Sequence, residues 1–283
     1  MQHIENLNGM QHAVPVGYAL QNKLLAALPA AESRRVQPYL SPFEVPAGKT
    51  LCEPDSALDY VYFPTTSIIS LLHVAADGAS TEIATIGNEG LVGVTVFLGG
   101  GRIANRVVVQ SKGQIYRLKS ELLKEEFNRA GAMQDLLLRY THALMRQISQ
   151  TAVCNRRHSI DQQLCRWLLL SLDRLASDEL TMTHELLANT LGVRREGITE
   201  AARKLQNAGL ITYHRGRITV TDRTGLEAFC CECYGAVRRE YNRMPGPSAY
   251  ALNGTMTAAA PGTRRSANGN GADRINAPLA FGN

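Results

Sequence analysis

Arg194, Arg195 and Glu196 stand in a row, and their chemistry suits recognition rather than bond-making. A guanidinium presents a fork of donors that fits the two acceptors on a guanine edge. A carboxylate accepts from the amino group of a cytosine. Arg195 and Glu196 are the candidate base readers. Arg194, Arg215 and Arg217 are better placed for phosphates, which position a nucleic-acid binder without reading its sequence. Glu196, Thr199, Glu200 and Arg203 share one face of a helix by spacing, opposite the apolar face of Ile198, Ala201, Ala202 and Leu205. With Thr183 just upstream, the candidate DNA-contacting set is Thr183, Arg194, Arg195, Glu196, Thr199, Glu200, Arg203, Arg215 and Arg217.

These residues need a frame, and the stretch Leu180–Asp222 supplies one: helix, turn, helix and a two-stranded wing. Thr183 reads as an N-cap, since its hydroxyl can accept from a free first-turn N–H. Glu185 suits the positive end of the helix dipole. Leu186, Leu187 and Leu191 give the first helix an apolar side. Gly192 breaks it by reaching left-handed backbone angles at little cost. The second helix begins near Arg194 and stops at Gly209. Leu210–Tyr213 and Arg217–Thr221 alternate apolar and polar residues around His214-Arg215-Gly216, which reads as a hairpin. A short helix packed on a longer one with polar residues at its start fits the major groove. The alternative is a winged helix used for protein contacts, with its charges solvated.

The run LGVRREGITEAARKLQNAGLI with its RGRITVTD wing resembles the C-terminal domain of the Crp/Fnr family of bacterial transcription regulators. Recognition helices there commonly read R-E-x-x-x-R. Arg195 and Glu196 match the first two positions. Glu200 stands at the third, which implies an operator different from that of the best-known members.

The chain has 283 residues, enough for two modest domains, and 45% hydrophobic residues, enough for sizeable cores. Its net charge of +5 is compatible with a polyanionic partner. No apolar run is long enough to span a bilayer, and the N-terminus lacks a basic-then-apolar signal pattern, so a cytoplasmic protein without a membrane partner is expected. In that compartment Cys52, Cys154, Cys165, Cys230, Cys231 and Cys233 stay reduced. Cys230, Cys231 and Cys233 are close in sequence but fall short of four ligands at a metal-binding spacing. They read as ordinary thiols on a C-terminal helix, with no metal site.

Residues 1–17 are polar and irregular and read as a mobile arm, and residues 18–37 as short helical pieces broken at Pro29. From Leu40 to Lys119, the runs Tyr60–Phe63, Ser67–Leu72, Glu82–Ile86, Arg106–Val109 and Gln114–Leu118 alternate with turn residues. Short strands at close spacing imply a β-sandwich or barrel. This region resembles the family's cyclic-nucleotide-binding β-roll. Pro46-Ala47-Gly48, Tyr62-Phe63-Pro64 and Gly87-Asn88-Glu89-Gly90-Leu91-Val92-Gly93 carry the likeness. In nucleotide-binding relatives a glutamate of this loop holds the ribose and an arginine of an Arg-Ser/Thr-Ala run holds the phosphate. Glu89 matches the glutamate. The second run is here Gly101-Arg102-Ile103-Ala104-Asn105-Arg106, without that motif. A buried cyclic phosphate needs a paired cation. The candidate effector residues are Glu89, Gly90, Leu91, Arg102 and Arg106, and the candidate cofactor is a cyclic nucleotide. The alternative is a β-roll that kept its fold and lost or exchanged its effector.

Residues 120–156 carry the longest helical pattern. Leu137, Thr141, Leu144, Ile148 and Thr151 alternate spacings of four and three, as in a coiled-coil seam. Leu136, Tyr140 and Ala143 flank it and can pack on the β-roll. The family resemblance makes this helix a dimer interface; the alternative is a helix buried in its own monomer. Ile160, Leu164, Trp167, Leu168 and Leu172 mark a further amphipathic helix beyond a hinge near Asn155–Ser159, and Glu227–Asn242 reads as a last short helix. The composition from Pro245 onward implies a disordered tail.

The expected architecture is therefore α+β. A β-roll, double-stranded β-helix or jelly-roll-like, spans residues 18–119 and a dimerisation helix spans 120–156. A winged helix-turn-helix spans 157–242 and the tail 243–283. No nucleophile–base set, metal motif or phosphate-binding loop points to an enzyme. The expected function is a homodimeric DNA-binding transcription regulator reading a palindrome, with RNA polymerase as a partner by resemblance alone. The rival reading is a nucleotide-responsive scaffold module that does not read DNA.

Overall fold

The computed structural model describes residues 16–175 and 177–246. The arm read at 1–17 lies outside the described residues up to residue 15, and the tail read at 243–283 does so from residue 247. Two short helices come first, α1 (Lys23–Ala27) and α2 (Ala30–Val36), separated at Pro29. Side chains tie them to the rest of the molecule. Asn22 caps α1 through its Oδ1, and its Nδ2 donates to the carbonyls of Pro64 (2.9 Å) and Gly90 (2.8 Å).

The strands that follow are β1 (Ser41–Val45), β2 (Thr50–Cys52), β3 (Ser56–Ala57), β4 (Tyr60–Pro64), β5 (Ile68–Val74), β6 (Ser80–Ile86), β7 (Arg102–Ile103), β8 (Arg106–Ser111) and β9 (Gly113–Lys119). They pair antiparallel in sheets ordered β1-β9-β4 and β2-β8-β5-β6, with β3 and β7 as a small ribbon. Val61, Phe63, Ile69, Ile86, Val107, Val109, Ile115 and Leu118 point inward and are almost fully buried, forming the core of the roll. The strands read from the sequence are the longer ones, each with several buried residues. β1, β2, β3 and β7 escaped because they are short or mostly exposed.

The helical pattern at 120–156 is two helices, not one. α3 (Ser120–Asn128) ends where Ala130 takes a positive φ of 55°, and α4 (Ala132–Arg157) starts after Gly131. The junction is held from α2. The Glu32 carboxylate accepts from the free amides of Ala132 (2.9 Å) and Met133 (2.7 Å) at the start of α4, which suits the positive end of the helix. Arg35 forks onto the Glu126 carboxylate of α3 at 2.8–3.1 Å.

Beyond the hinge come α5 (Ile160–Leu172), β10 (Glu179–Thr181), α6 (His184–Leu191), α7 (Arg195–Asn207), β11 (Ile211–His214), β12 (Arg217–Val220), α8 (Arg223–Phe229) and α9 (Glu232–Asn242). Ser159 and Gln162 form a capping box at the start of α5. The amphipathic reading of α5 needs correction, because every residue from Gln163 to Leu172 is buried. A helix covered on all sides lies between two bodies. Its leucines join the core of the winged unit, Ile68 of β5 joins the same cluster, and Gln110 of β8 donates to Ser171 (3.3 Å). The last helix is also two, broken at Cys230-Cys231, and α9 turns back onto α4, where the Tyr241 hydroxyl donates to Gln147 (2.9 Å). No helix among the described residues is long and apolar enough to cross a membrane.

Candidate nucleic-acid interface

α6 and α7 form the helix pair, and the sheet β10-β12-β11 forms the wing. Thr183 caps α6 by accepting from the Leu186 amide (3.2 Å), and Gly192 ends it at φ 67°. Ile198, Ala201, Ala202 and Leu205 bury the inner face of α7. The outer face carries Arg195, Glu196, Thr199, Glu200 and Arg203, all exposed. The wing turns through Arg215 (φ 47°) and Gly216 (φ 79°), the paired positive angles of a tight two-residue hairpin. That turn holds Arg215 out in solvent.

The predicted set divides by occupation. Thr183 is committed to its cap. The Thr199 hydroxyl donates to the Arg195 carbonyl (3.0 Å) and lies 3.0 Å from Nδ1 of His184, whose ring stacks on Tyr213 at 4.4 Å. Burial, and then the charge of Arg195, hold the His184 pKa below its ordinary value. This contact between His184 and Thr199 ties the start of α6 to α7. Glu200 pairs with Lys204 (3.4 Å) and Arg217 with Glu179 (3.4 Å), both exposed pairs of little energetic weight. Among the described residues, the side chains of Arg194, Arg195, Glu196, Arg203 and Arg215 make no hydrogen bond or ion pair, leaving them available.

The effector loop is organised differently from the sequence expectation. Glu89 is buried, and its Oε1 accepts from the Gly87 amide (3.2 Å) and from Nε of Arg174 (2.7 Å). Arg174 follows α5, so the pair bridges the β-roll to the winged unit. Burial alone works against the Arg174 charge, but the Glu89 carboxylate beside it outweighs that and keeps its pKa above the ordinary value. Its other donors reach the carbonyl of Leu170 and Oε1 of Gln147 (3.2 Å). A cavity of about 230 Å³ opens beside this pair, lined in part by Lys23, Glu89, Asp173, Arg174, Arg238 and Tyr241.

Residues 162–229 match the family described as the Crp-like helix-turn-helix domain, and residues 42–130 match the cyclic nucleotide-binding domain. The chain is 22% identical to the global nitrogen regulator of Synechococcus elongatus over 218 residues, covering 74% of this chain and 97% of that protein. FixK2 from Bradyrhizobium japonicum has a similar fold at TM-score 0.58 and 16% identity, over 68% of this chain and 98% of that one. So does TTHA1359, a transcriptional regulator of the CRP/FNR family from Thermus thermophilus, at TM-score 0.52 and 19% identity over 66% and 97%. The chain thus carries the domain pair of Crp/Fnr regulators, a cyclic nucleotide-binding domain followed by a Crp-like helix-turn-helix.

The helix-turn-helix of that pair is a DNA-binding unit of the transcription-regulator type. Of the residues expected at the effector site, Glu89 lines the cavity beside Arg174 and the others do not. Leu91 is fully buried in the β-roll core. Gly90 lies against Tyr140 of α4, whose hydroxyl donates to the Leu91 carbonyl (2.9 Å), so both loop residues serve helix packing. Arg102 is exposed and donates to the carbonyl of Asp55, and Arg106 pairs with Glu53 (2.8 Å). Neither lines the cavity beside Glu89. The cations lining it are Lys23, Arg174 and Arg238, and of these Arg174, which sequence reasoning missed, pairs with Glu89. A Cβ at Gly90 would stand 2.3 Å from the ring of the fully buried Tyr140. Gly90→Ala should therefore cost about 1–3 kcal/mol by overpacking. An unchanged melting temperature would show that the loop can move aside.

The seam predicted on α4 also needs correction. Leu137, Thr141, Leu144 and Thr151 are buried within the chain, and Ile148 packs on the β-roll core. Thr141 and Thr151 donate their hydroxyls to carbonyls one turn back, which satisfies them inside (2.8 and 3.0 Å). The exposed apolar stripe is one residue along: Leu138 and Met145, 47% and 60% exposed, followed by Ala152 at the next heptad position and Val153.

Proposed function

We propose that this chain is a Crp/Fnr regulator that acts as a homodimer and reads a palindromic DNA site through the head of α7. Arg195 and Glu196 face base edges, while Arg194, Arg203 and Arg215 meet phosphates. The observation that carries this reading is that these side chains stand exposed and unpaired among the described residues, along the outer side of α7 and at the wing turn, while the inner face of α7 is buried. Two copies add their energies on half-sites about 34 Å apart, which one short helix cannot match. The Leu138–Met145–Ala152 stripe supplies the seam for the second copy. In this reading the β-roll spans residues 18–119 and the DNA-binding unit 157–242, with α3 and α4 between them. RNA polymerase contact rests on the family resemblance.

Effector sensing, in the same reading, centres on Glu89. A cyclic nucleotide would need the Glu89 carboxylate that Arg174 now holds, so occupancy of the cavity and the seating of the winged unit exclude or remodel one another. A ligand shifts such an equilibrium only by its difference in affinity for the two arrangements. Calorimetry with cyclic AMP and cyclic GMP tests this: saturable binding that disappears in Glu89→Ala supports a nucleotide effector, and no binding means that the roll has lost or exchanged it.

The DNA assignment is tested by selection from a random pool followed by gel shifts. A two-fold symmetric site should emerge, with affinity falling steeply as salt rises. Arg195→Ala should lower affinity for that site by about 1–3 kcal/mol and relax base choice at one position per half-site. Unaltered selectivity would remove Arg195 as a base reader. Failure to select any symmetric site would favour the scaffold reading.

A further inference from the structure

The break between α8 and α9 turns Cys231 and Cys233 toward the end of α4, where Cys154 and His158 wait one helical turn apart. One ligand atom from each of these four residues lies within 4.8 Å of all the others. Cys154 and Cys233 are fully buried, Cys231 nearly so, and the His158 side chain is 15% exposed. We propose that Cys154, His158, Cys231 and Cys233 form a tetrahedral site for a thiophilic divalent cation, zinc above all, that fastens α9 to the end of α4.

The spacings fit the ion. Zinc sits about 2.3 Å from thiolate sulfur and about 2.0–2.1 Å from imidazole nitrogen, so a regular tetrahedron has S···S edges of about 3.8 Å and S···N edges of about 3.5 Å. Here Cys154 Sγ and Cys231 Sγ are 3.7 Å apart, and Cys233 Sγ and His158 Nδ1 are 3.4 Å apart. The sulfurs of the first pair are too far apart for a disulfide bond, which needs about 2.05 Å. The second shell is present. Nε2 of His158 lies 3.4 Å from the Glu232 carboxylate, an arrangement that turns Nδ1 toward the sulfurs and fixes the tautomer. Gln150 Nε2 donates to Cys233 Sγ at 3.1 Å, a bond that favours a thiolate.

Charge gives an independent reason. Binding releases three thiol protons, and the resulting complex of three thiolates, one neutral imidazole and one dication carries a net charge of −1. Arg166 is buried, makes no ion pair among the described residues and has an unpartnered Nε. It lies within electrostatic reach of Cys154 and Cys230. An anionic metal centre adds counter-charge for this guanidinium, which also lies within electrostatic reach of the buried Glu82 and donates to Thr151 (3.2 Å). Three sulfurs and one nitrogen in a closed tetrahedron select zinc over harder ions and mark a structural rather than catalytic centre. The placement is mechanical: the long helix ends at this point, and the ion would bind the last helix of the winged unit across the hinge.

The test uses the full chain, purified under reducing conditions without chelator. Elemental analysis should find about one zinc ion per chain, which a mercurial releases as the thiols react. Cys154→Ser and Cys233→Ser should fall below about a tenth of that content, while Cys52→Ala, in the β-roll, retains it. Should either serine variant fail to fold, cobalt exchange into the unaltered chain decides independently, by the ligand-field bands of a tetrahedral thiolate-rich site. Wild-type chain without zinc and without that cobalt spectrum overturns the proposal. So does iron with acid-labile sulfide, which would make the centre a cluster, or a Cys154–Cys231 disulfide in freshly reduced extract.

Discussion

Glu89→Ala should destabilise the chain by about 3–5 kcal/mol, because it strands the buried Arg174 guanidinium without a counter-charge. That is a large share of the roughly 5–15 kcal/mol that holds an ordinary domain folded. Replacing both partners by apolar residues of similar volume, Glu89→Leu with Arg174→Met, should cost far less, because no charge is left behind. The contrast separates a bridge from mere burial. The single tryptophan, Trp167, lies on α5 close to Arg174 in sequence and is 2% exposed, so its fluorescence during urea unfolding reports on the junction. Midpoints of single and double variants that fall by the same amount would show that the bridge does not join the β-roll to the winged unit. An unshifted midpoint in Glu89→Ala would show that the carboxylate contributes nothing.

The second large effect concerns assembly. Leu138→Glu combined with Met145→Glu places like charges along the exposed stripe of α4 and, by symmetry, against themselves in a partner. The variant should sediment as a monomer and lose roughly a thousandfold or more in affinity for its selected site, toward the non-specific level. Its thermal stability as an isolated chain should stay close to that of the parent monomer, since neither side chain belongs to the core. A variant that remains dimeric would remove this stripe as the interface. The matching substitution at Leu144, inside the chain, should instead unfold it.

Much of the winged unit was legible in the sequence because its signals are local. Thr183 as cap, Gly192 and Gly209 as stops, and Arg215-Gly216 as a turn each act within a few residues. The longer strands of the β-roll were legible for the same reason, as apolar runs bounded by turn residues. What escaped was long-range or degenerate. Nothing in the residues around Arg174 singles it out, because its partner lies 85 residues away. The α4 pattern holds two apolar stripes one residue apart, and spacing alone cannot say which one the β-roll will cover. The choice fell to Leu91 and Tyr140, whose contact sets the rotation of the helix. The cysteines at 230–233 looked incomplete because Cys154 is 77 residues from Cys231. The helix breaks at Ala130 and at Cys230-Cys231 lack the proline that would have announced them.

Glu32 plugs the head of a 26-residue helix from α2, ahead of the first strand of the β-roll. A fragment beginning at Ser41 would strip that plug, together with the Asn22 and Arg35 clamps, and leave raw amide protons facing solvent at the top of the molecule's longest rod. Residues 22–35 thus behave as a keystone, and excised versions of the β-roll should fray from the rod downward.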